Sequence, residues 1–184
     1  MTMARHDALR ELVPSPAAGF EQPFAMLEAC HARVQRTLDL LQRLTAHVRQ
    51  AGADEQARQA ARDVMRYFDQ AAPQHHLDEE RHVLPALEAS GDAALQALAA
   101  RLRADHRRMD SGWNDSRTVL AALAEGRLAA LDERQEAVLA RFSALHADHL
   151  AAEEQVAFPA ATARLDSAAL ADMSEDMRRR RGAT

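Results

Sequence analysis

The sequence predicts an all-α protein: an up-down-up-down four-helix bundle followed by a short C-terminal helix. Three observations support this fold class. Hydrophobic residues, mostly Ala and Leu, make up 47% of the chain, Gly and Pro number six each, and apolar residues recur at alternating steps of three and four. Because turn-forming residues are few, we expect few breaks between the helices. Short breaks between long helices place consecutive helices antiparallel.

Three glycine-containing breaks separate the helical patterns, at Gly52, Gly91 and Gly126. They predict helices over residues 22–50, 54–89, 92–125 and 128–164, with a final amphipathic helix over about 166–180. We therefore expect a lead-in over 1–21, a bundle over 22–164, and a C-terminal helix with a basic tail over 165–184.

Composition argues against several classes of protein. The net charge is −5, which disfavours nucleic-acid binding, and we expect the arginine run at 178–181 to be a solvated tail. Cys30 is the only cysteine, so an intramolecular disulfide and a cysteine-based zinc site are excluded. We find no signal peptide and no membrane-spanning stretch, and we expect a cytoplasmic protein. A monomer and a homodimer both remain open.

Each predicted bundle helix carries a histidine on its apolar stripe. His31 replaces an apolar residue in the stripe of the first helix, and His106 does so in the third. The second stripe contains His75 and Glu79 and continues to His82 and Ala86. The fourth contains His149 and Glu153 and continues to Val156 and Ala160.

A duplication in the sequence relates the second and fourth helices. In both, His follows Phe by seven residues, Glu follows His by four, and Pro follows His by ten. The matched residues are Phe68, His75, Glu79, Glu80 and Pro85 in one helix, and Phe142, His149, Glu153, Glu154 and Pro159 in the other. His31 and His106 correspond in the same way. The alternative pair His76–Glu80 has no counterpart, and it lies about 100° further round the helix, facing outward or toward a neighbouring helix.

These six inward-facing residues predict a metal centre. Two carboxylates and four imidazoles buried without partners would cost several kcal/mol per group, by order of magnitude. Two metal ions bridged by the carboxylates would remove this cost. Mixed imidazole and carboxylate ligation suits iron and manganese, and zinc also accepts it. We therefore predict as metal ligands His31, His75, Glu79, His106, His149 and Glu153. The alternative is a set of hydrogen-bonded core residues.

The sequence also suggests roles for residues outside these six candidate ligands. His82 and His146 are candidates for hydrogen bonds to the ligands, whereas His6 and His47 are expected at the surface. Phe68, Phe142 and Trp113 are expected in the core, where they could also wall off open metal positions. Pro73 predicts a kink before His75, and Pro85 and Pro159 are expected to bend or end their helices. The role of Cys30, buried or redox-active, stays undecided.

Over residues 22–163 the chain resembles the hemerythrin-like family of HHE cation-binding domains. The resemblance is carried by His31, by the segment His75 to Pro85, by His106, and by the segment His149 to Pro159. It implies two iron ions with an oxide or hydroxide bridge, manganese or zinc being alternatives. Oxygen-carrying members have a fifth histidine where this chain has Asp110. The four-histidine pattern is similar to a bacterial subgroup linked to iron-centre repair under oxidative and nitrosative stress.

Three functions follow as hypotheses. The first is a non-catalytic di-iron protein that binds or responds to oxygen, nitric oxide or peroxide, or that supplies iron for repair. The second is a di-iron enzyme that reduces peroxide or nitric oxide. The third is an interaction bundle with a structural metal. We favour the first, because six protein ligands for two ions leave coordination positions open for a small ligand.

Overall fold

The computed structural model describes residues 19–182. The predicted lead-in, including His6, lies almost entirely outside this range. Among the described residues the secondary structure is helical, and four bundle helices are followed by a shorter C-terminal helix. Bundle helix 1 is α1 (Pro23–Ala51) and bundle helix 3 is α4 (Ala93–Ala124). The all-α bundle predicted from the sequence is therefore confirmed.

Bundle helices 2 and 4 are each interrupted by one π-helical turn. Bundle helix 2 consists of α2 (Glu55–Asp78), a π-turn (Glu79–Val83) and α3 (Leu84–Glu88). Bundle helix 4 consists of α5 (Glu133–Ala144), α6 (Ala147–Ala152), a π-turn (Glu153–Ala157) and α7 (Phe158–Thr162). The C-terminal helix is α8 (Ser167–Arg180).

Short capped connections join the helices. Gly52, Gly91 and Gly126 adopt positive φ, and the Asp54 and Asp92 side chains cap the helices that follow the first two breaks. The backbone N–H of Ala53 donates to the carbonyl of Ala129, which places the first and third connections at the same end of the bundle. This is the arrangement of an up-down-up-down bundle.

Bundle helix 4 begins later than the expected residue 128. Asp132 forms a capping box with Gln135, so the helix starts at Glu133 and the residues before it form the connection. The helix is also interrupted around Leu145 and His146.

The π-turns change which residues face the core. Each adds one residue to its turn, so the buried face shifts by one position beyond it. Val83 and Leu87 are therefore buried where His82 and Ala86 were expected. Ala157 and Ala161 are buried instead of Val156 and Ala160, and Val156 is 44% exposed. The stripes predicted for these two helix ends were wrong by this one-residue shift.

Two apolar clusters fill the bundle on either side of a polar layer. One contains Val34, Leu41, Phe68 and Phe142, and the other contains Leu27, Leu84, Leu102, Phe158, Met173 and Met177. The polar layer lies between them, because His31 separates Leu27 from Val34 along α1. None of the described helices is long and apolar enough to cross a membrane.

Candidate metal centre

Each predicted carboxylate ligand is the first residue of a π-turn. The backbone N–H of Leu84 donates to the carbonyl of Glu79, and that of Phe158 donates to the carbonyl of Glu153, both across five residues. A proline follows each donor, at Pro85 and Pro159, and proline offers no N–H and clashes with the carbonyl four residues before it. The wider turn accommodates this residue. The prolines therefore do not end their helices. Their effect on the backbone is the π-turn that begins at the candidate ligand.

The helix also continues through Pro73, two residues before His75. Helix α2 remains intact as far as Asp78 despite this proline. The structure thus places the irregularity of bundle helix 2 at Glu79 itself.

All six predicted ligands are brought together in the interior of the bundle. Their exposed fractions do not exceed 3%. They fall into two groups of four whose ligand atoms lie within 4.8 Å of one another. The first group is His31, His75, Glu79 and Glu153, and the second is His106, His149, Glu79 and Glu153.

Glu79 connects the two groups. Its Oε1 atom lies 3.1 Å from His75 Nε2 and 3.6 Å from His31 Nε2, both in the first group. Its Oε2 atom lies 3.4 Å from His106 Nε2, in the second group.

Glu153 also connects the two groups, but its Oε1 atom faces the second group and its Oε2 atom faces the first. Its Oε1 atom lies 2.9 Å from His149 Nε2 and 3.7 Å from His106 Nε2, and its Oε2 atom lies 3.2 Å from His31 Nε2. Each carboxylate thus offers one oxygen to each group, which is the arrangement of two bridging ligands between two ions. The pseudo-twofold relation seen in the sequence is preserved in this geometry.

The atoms that face the centre have no hydrogen-bond partner. They are the Nε2 atoms of the four histidines and all four carboxylate oxygens of Glu79 and Glu153. The nitrogens and oxygens approach one another to 2.9–3.7 Å without forming hydrogen bonds. Buried polar atoms are nearly always satisfied in folded proteins. The eight unsatisfied atoms are a donor set that fits two cations.

Two further carboxylates orient the histidines from outside. Nδ1 of His31 donates to Glu154 at 2.9 Å, and Nδ1 of His106 donates to Glu80 at 3.0 Å. A proton held at Nδ1 leaves the Nε2 lone pair available for a metal ion. This role was not predicted for either glutamate from the sequence. The available signal was the repetition of the Glu-Glu doublet in both halves.

The remaining two histidines differ from each other. Nδ1 of His149 lies 3.5 Å from an Asp105 carboxylate oxygen. Neither this nitrogen nor Nδ1 of His75 forms a hydrogen bond among the described residues, and of the two only His149 has a carboxylate at this distance. The outer environment of the two groups is therefore asymmetric.

Charge within the centre is balanced by protons when no cation is bound. Burial alone would lower the pKa of His31 and of His106, but the Glu153 and Glu79 carboxylates outweigh it and raise each pKa to about 10. Burial lowers the pKa of His75 to about 4. Burial and Glu153 favour protonation of Glu79, yet the surrounding histidines lower its pKa to about 2. Cations would replace the protons of His31 and His106.

His82 and His146 form no hydrogen bond to the candidate ligands in the described part of the chain. His82 Nε2 lies 3.0 Å from Asp176 on α8, because the π-turn rotates it away from the core. His146 Nδ1 donates to the carbonyl of Phe142, and burial lowers its pKa to about 4. The hypothesis that His82 and His146 hydrogen-bond to the ligands was therefore wrong.

The aromatic residues divide into two sets. Phe68, Trp113 and Phe142 pack against one another, and Phe68 and Phe142 also contact His146. Phe68 and Phe142 lie two helical turns before the candidate histidine ligands of their own helices, and Trp113 lies two turns after His106. The Phe158 ring stacks on the candidate ligand His31, with ring centroids 5.1 Å apart. Phe158 is thus an apolar wall against the first group.

His76 and Asp110 lie beside the second group. The His76 ring stacks on His106 with centroids 4.2 Å apart, and its Nδ1 lies 3.8 Å from the exposed carboxylate of Asp110. His76 therefore faces a neighbouring helix, as expected from the sequence. Neither residue belongs to the two groups of candidate ligands.

The arginine run is only in part a solvated tail, because Arg179 is exposed whereas Arg180 and Arg181 lie against the bundle. Arg180 and Arg181 bind Asp78, which is fully buried and lies between His75 and Glu79 in the sequence. The expectation failed because a charge count along the sequence does not show that α8 folds back onto α2.

Comparison with known proteins agrees with the site. The model of the hemerythrin HHE cation-binding domain matches residues 22–179. An uncharacterized protein of Haemophilus influenzae is 28% identical over 170 residues, covering 92% of this chain and 96% of that protein. The chain belongs to the hemerythrin HHE cation-binding domain family, and its buried histidine and glutamate groups could hold a metal.

Proposed function

We propose that this protein holds two iron ions in the candidate centre and binds a small ligand, such as oxygen, nitric oxide or peroxide, at that centre. The observation that carries the proposal is the bridging arrangement of Glu79 and Glu153, each of which offers one oxygen to each group of histidines. His31 and His75 would hold one ion, and His106 and His149 the other.

The donor set favours iron. Imidazole nitrogens with bridging carboxylates suit iron and manganese, and they differ from the thiolate-rich sets typical of structural zinc. Each ion would receive two imidazoles and one oxygen from each carboxylate. Four protein donors would leave further positions open on each ion, and a reduced iron pair would supply electrons to a diatomic ligand.

The surroundings limit the ligand to a small molecule. The candidate ligands are almost fully buried between two apolar clusters, and Phe158 covers His31. Two surface cavities, of about 370 and 470 Å³, are lined by residues other than these six. The chain's own contribution is to orient the imidazoles through Glu80 and Glu154 and to exclude bulk water.

Addition of nitric oxide to the anaerobically reduced, iron-loaded protein tests this function. We expect new visible absorption bands and an electron paramagnetic resonance signal that titrate with the iron pair. The His106→Ala/His149→Ala variant should lose this response, whereas His47→Ala should retain it, because His47 pairs with Asp54 at the surface. An iron-loaded wild type with an unchanged spectrum would contradict the proposal.

Turnover separates a binding protein from an enzyme. We expect nitric oxide and peroxide to be consumed in proportion to the protein and not beyond it. His146, the nearest additional buried histidine, bonds to a backbone carbonyl and not to a candidate ligand. Repeated consumption with an added electron donor would contradict the non-catalytic assignment while leaving the di-iron centre intact.

A further inference from the structure

The C-terminal helix contacts the metal centre through one buried carboxylate. Asp78 is 0% exposed and lies between the candidate ligands His75 and Glu79 in sequence. Its two oxygens are bound by Arg180 and Arg181 from the end of α8, with Arg181 Nη2 at 2.5 Å from Oδ2. These arginine groups compensate a charge that the interior would otherwise not tolerate.

The position of α8 is fixed by further contacts. Met173 and Met177 are fully buried against the apolar cluster that contains Leu84. Asp176 accepts a hydrogen bond from Arg180 at 2.9 Å and lies 3.0 Å from His82 Nε2. The arginine pair is therefore delivered to Asp78 by a docked helix.

The second half of the chain has no equivalent of this contact. The residue that precedes Glu153 is Ala152, at the position that Asp78 occupies before Glu79. The two groups also differ at their outer nitrogens, since His149 Nδ1 lies 3.5 Å from an Asp105 oxygen whereas His75 Nδ1 has no described carboxylate at this distance, although neither nitrogen forms a hydrogen bond. The compensation by α8 thus acts on one side of the centre.

We propose that Arg180 and Arg181 are positioning residues for the first metal position, the one formed by His31, His75, Glu79 and Glu153. Without them Asp78 must move toward water, and His75 and Glu79 move with it because they share its helical turn. The first position then loses two of its four donors. The second position loses only Glu79 and keeps His106, His149 and Glu153. Release of the end of α8 therefore loosens one metal ion and retains the other, which would make the first ion the one available for transfer.

This inference rests on the proposed di-iron function, and metal competition tests it separately. Wild-type protein should first be shown to bind two ions, because binding of none would refute the proposed function itself. In Arg180→Gln/Arg181→Gln we expect one of the two ions to be lost to a chelator with an affinity about 10–100-fold weaker, the size typical of an outer-sphere substitution. Mössbauer spectra of ⁵⁷Fe-loaded protein should show one iron environment changed.

Two further variants distinguish positioning from a general loss of stability. Arg178→Gln/Arg179→Gln removes the same charge from the same helix, but these arginines pair with Glu175 and Asp176 and not with Asp78, so both ions should be retained. Adding Asp78→Asn to Arg180→Gln/Arg181→Gln should restore retention of the first ion, because a neutral amide needs no compensating charge. Structural damage to α8 would not be repaired in this way.

Three results would contradict this proposal. Equal weakening of both ions, or no recovery with Asp78→Asn, would overturn the proposal. If the double arginine variant does not fold, Arg181→Gln alone leaves Arg180 on Asp78 and should weaken the first ion selectively by a smaller factor. Unchanged binding of that ion in a folded Arg181→Gln variant would also overturn it.

Discussion

The Glu80 carboxylate accepts a hydrogen bond from Nδ1 of His106 across 3.0 Å, joining bundle helices 2 and 3 at the candidate metal centre. Glu154 makes the corresponding contact with His31. Each of these glutamates directly follows a candidate bridging glutamate. One Glu-Glu doublet thus supplies an inner donor and an outer orienting group.

We predict that Glu80→Gln weakens binding at the second metal position by roughly tenfold or more, because the neutral amide orients His106 less strongly and lowers its basicity. Glu154→Gln should weaken the first position for the same reason. Anaerobic metal titration with a competing chelator measures both effects. Glu125→Gln is the matched control, since Glu125 pairs with Arg127 on the surface. Equal affinities in all three variants would remove the orienting role.

Substitution of a single candidate ligand should lower the metal content. We predict fewer than two ions per chain for His149→Ala, because the second group keeps only three of its four donors, His106 and the two bridging carboxylates, and binds its ion more weakly. Elemental analysis of the purified variant provides the count. His47→Ala should match the wild type, and a His149→Ala protein that still holds two ions would show that His149 is not a ligand.

The metal-free protein should have a stability maximum near pH 6.5, the ordinary pKa of histidine. The raised pKa values of His31 and His106 contribute stability that is complete below pH 6.5 and is lost as the pH rises toward 10. The lowered pKa values of His75 and His146 contribute stability that is lost as the pH falls from 6.5 toward 4. Urea unfolding at about pH 5, 6.5 and 9 measures how the free energy of unfolding depends on pH.

The metal-bound protein provides the comparison for this pH profile. Cations at the Nε2 positions displace the protons of His31 and His106, so the alkaline loss of stability should largely disappear. A metal-free protein whose stability rises steadily from pH 6.5 to 9 would contradict the assigned proton positions.

The π-turns make a further prediction about stability. Leu87→Ala removes a fully buried side chain and should lower the free energy of unfolding by about 2–5 kcal/mol. Val156→Ala should change it by no more than about 0.5 kcal/mol, because Val156 lies on the exposed side after the register shift. Urea unfolding of both variants decides the register. A large loss for Val156→Ala would support the uninterrupted helix instead.

Much of the fold could be predicted from the sequence because its apolar periodicity is regular. His31 and His106 interrupt stripes of apolar residues without shifting them, so their inward direction was readable. The internal duplication selected His75 over His76, which spacing alone could not do. The bundle was therefore predictable up to the first residue of each π-turn.

The remaining features depend on backbone geometry and long-range contacts. An α-helical period places His82 and Val156 inside, and only the widened turns before Pro85 and Pro159 move them out. Asp78 and Arg180 are separated by about a hundred residues, and no local pattern indicates that they meet. The contact between Glu80 and His106 similarly requires the relative placement of two helices.

The most direct test of the account is the metal content of freshly purified protein, measured by elemental analysis together with its absorption spectrum. We predict about two irons per chain, with near-ultraviolet charge-transfer bands of bridged ferric ions. The Glu79→Ala/Glu153→Ala variant, checked for folding by circular dichroism, should lose both. Folded wild-type protein that binds no metal, or that binds a single zinc ion when iron is supplied, would contradict the di-iron centre.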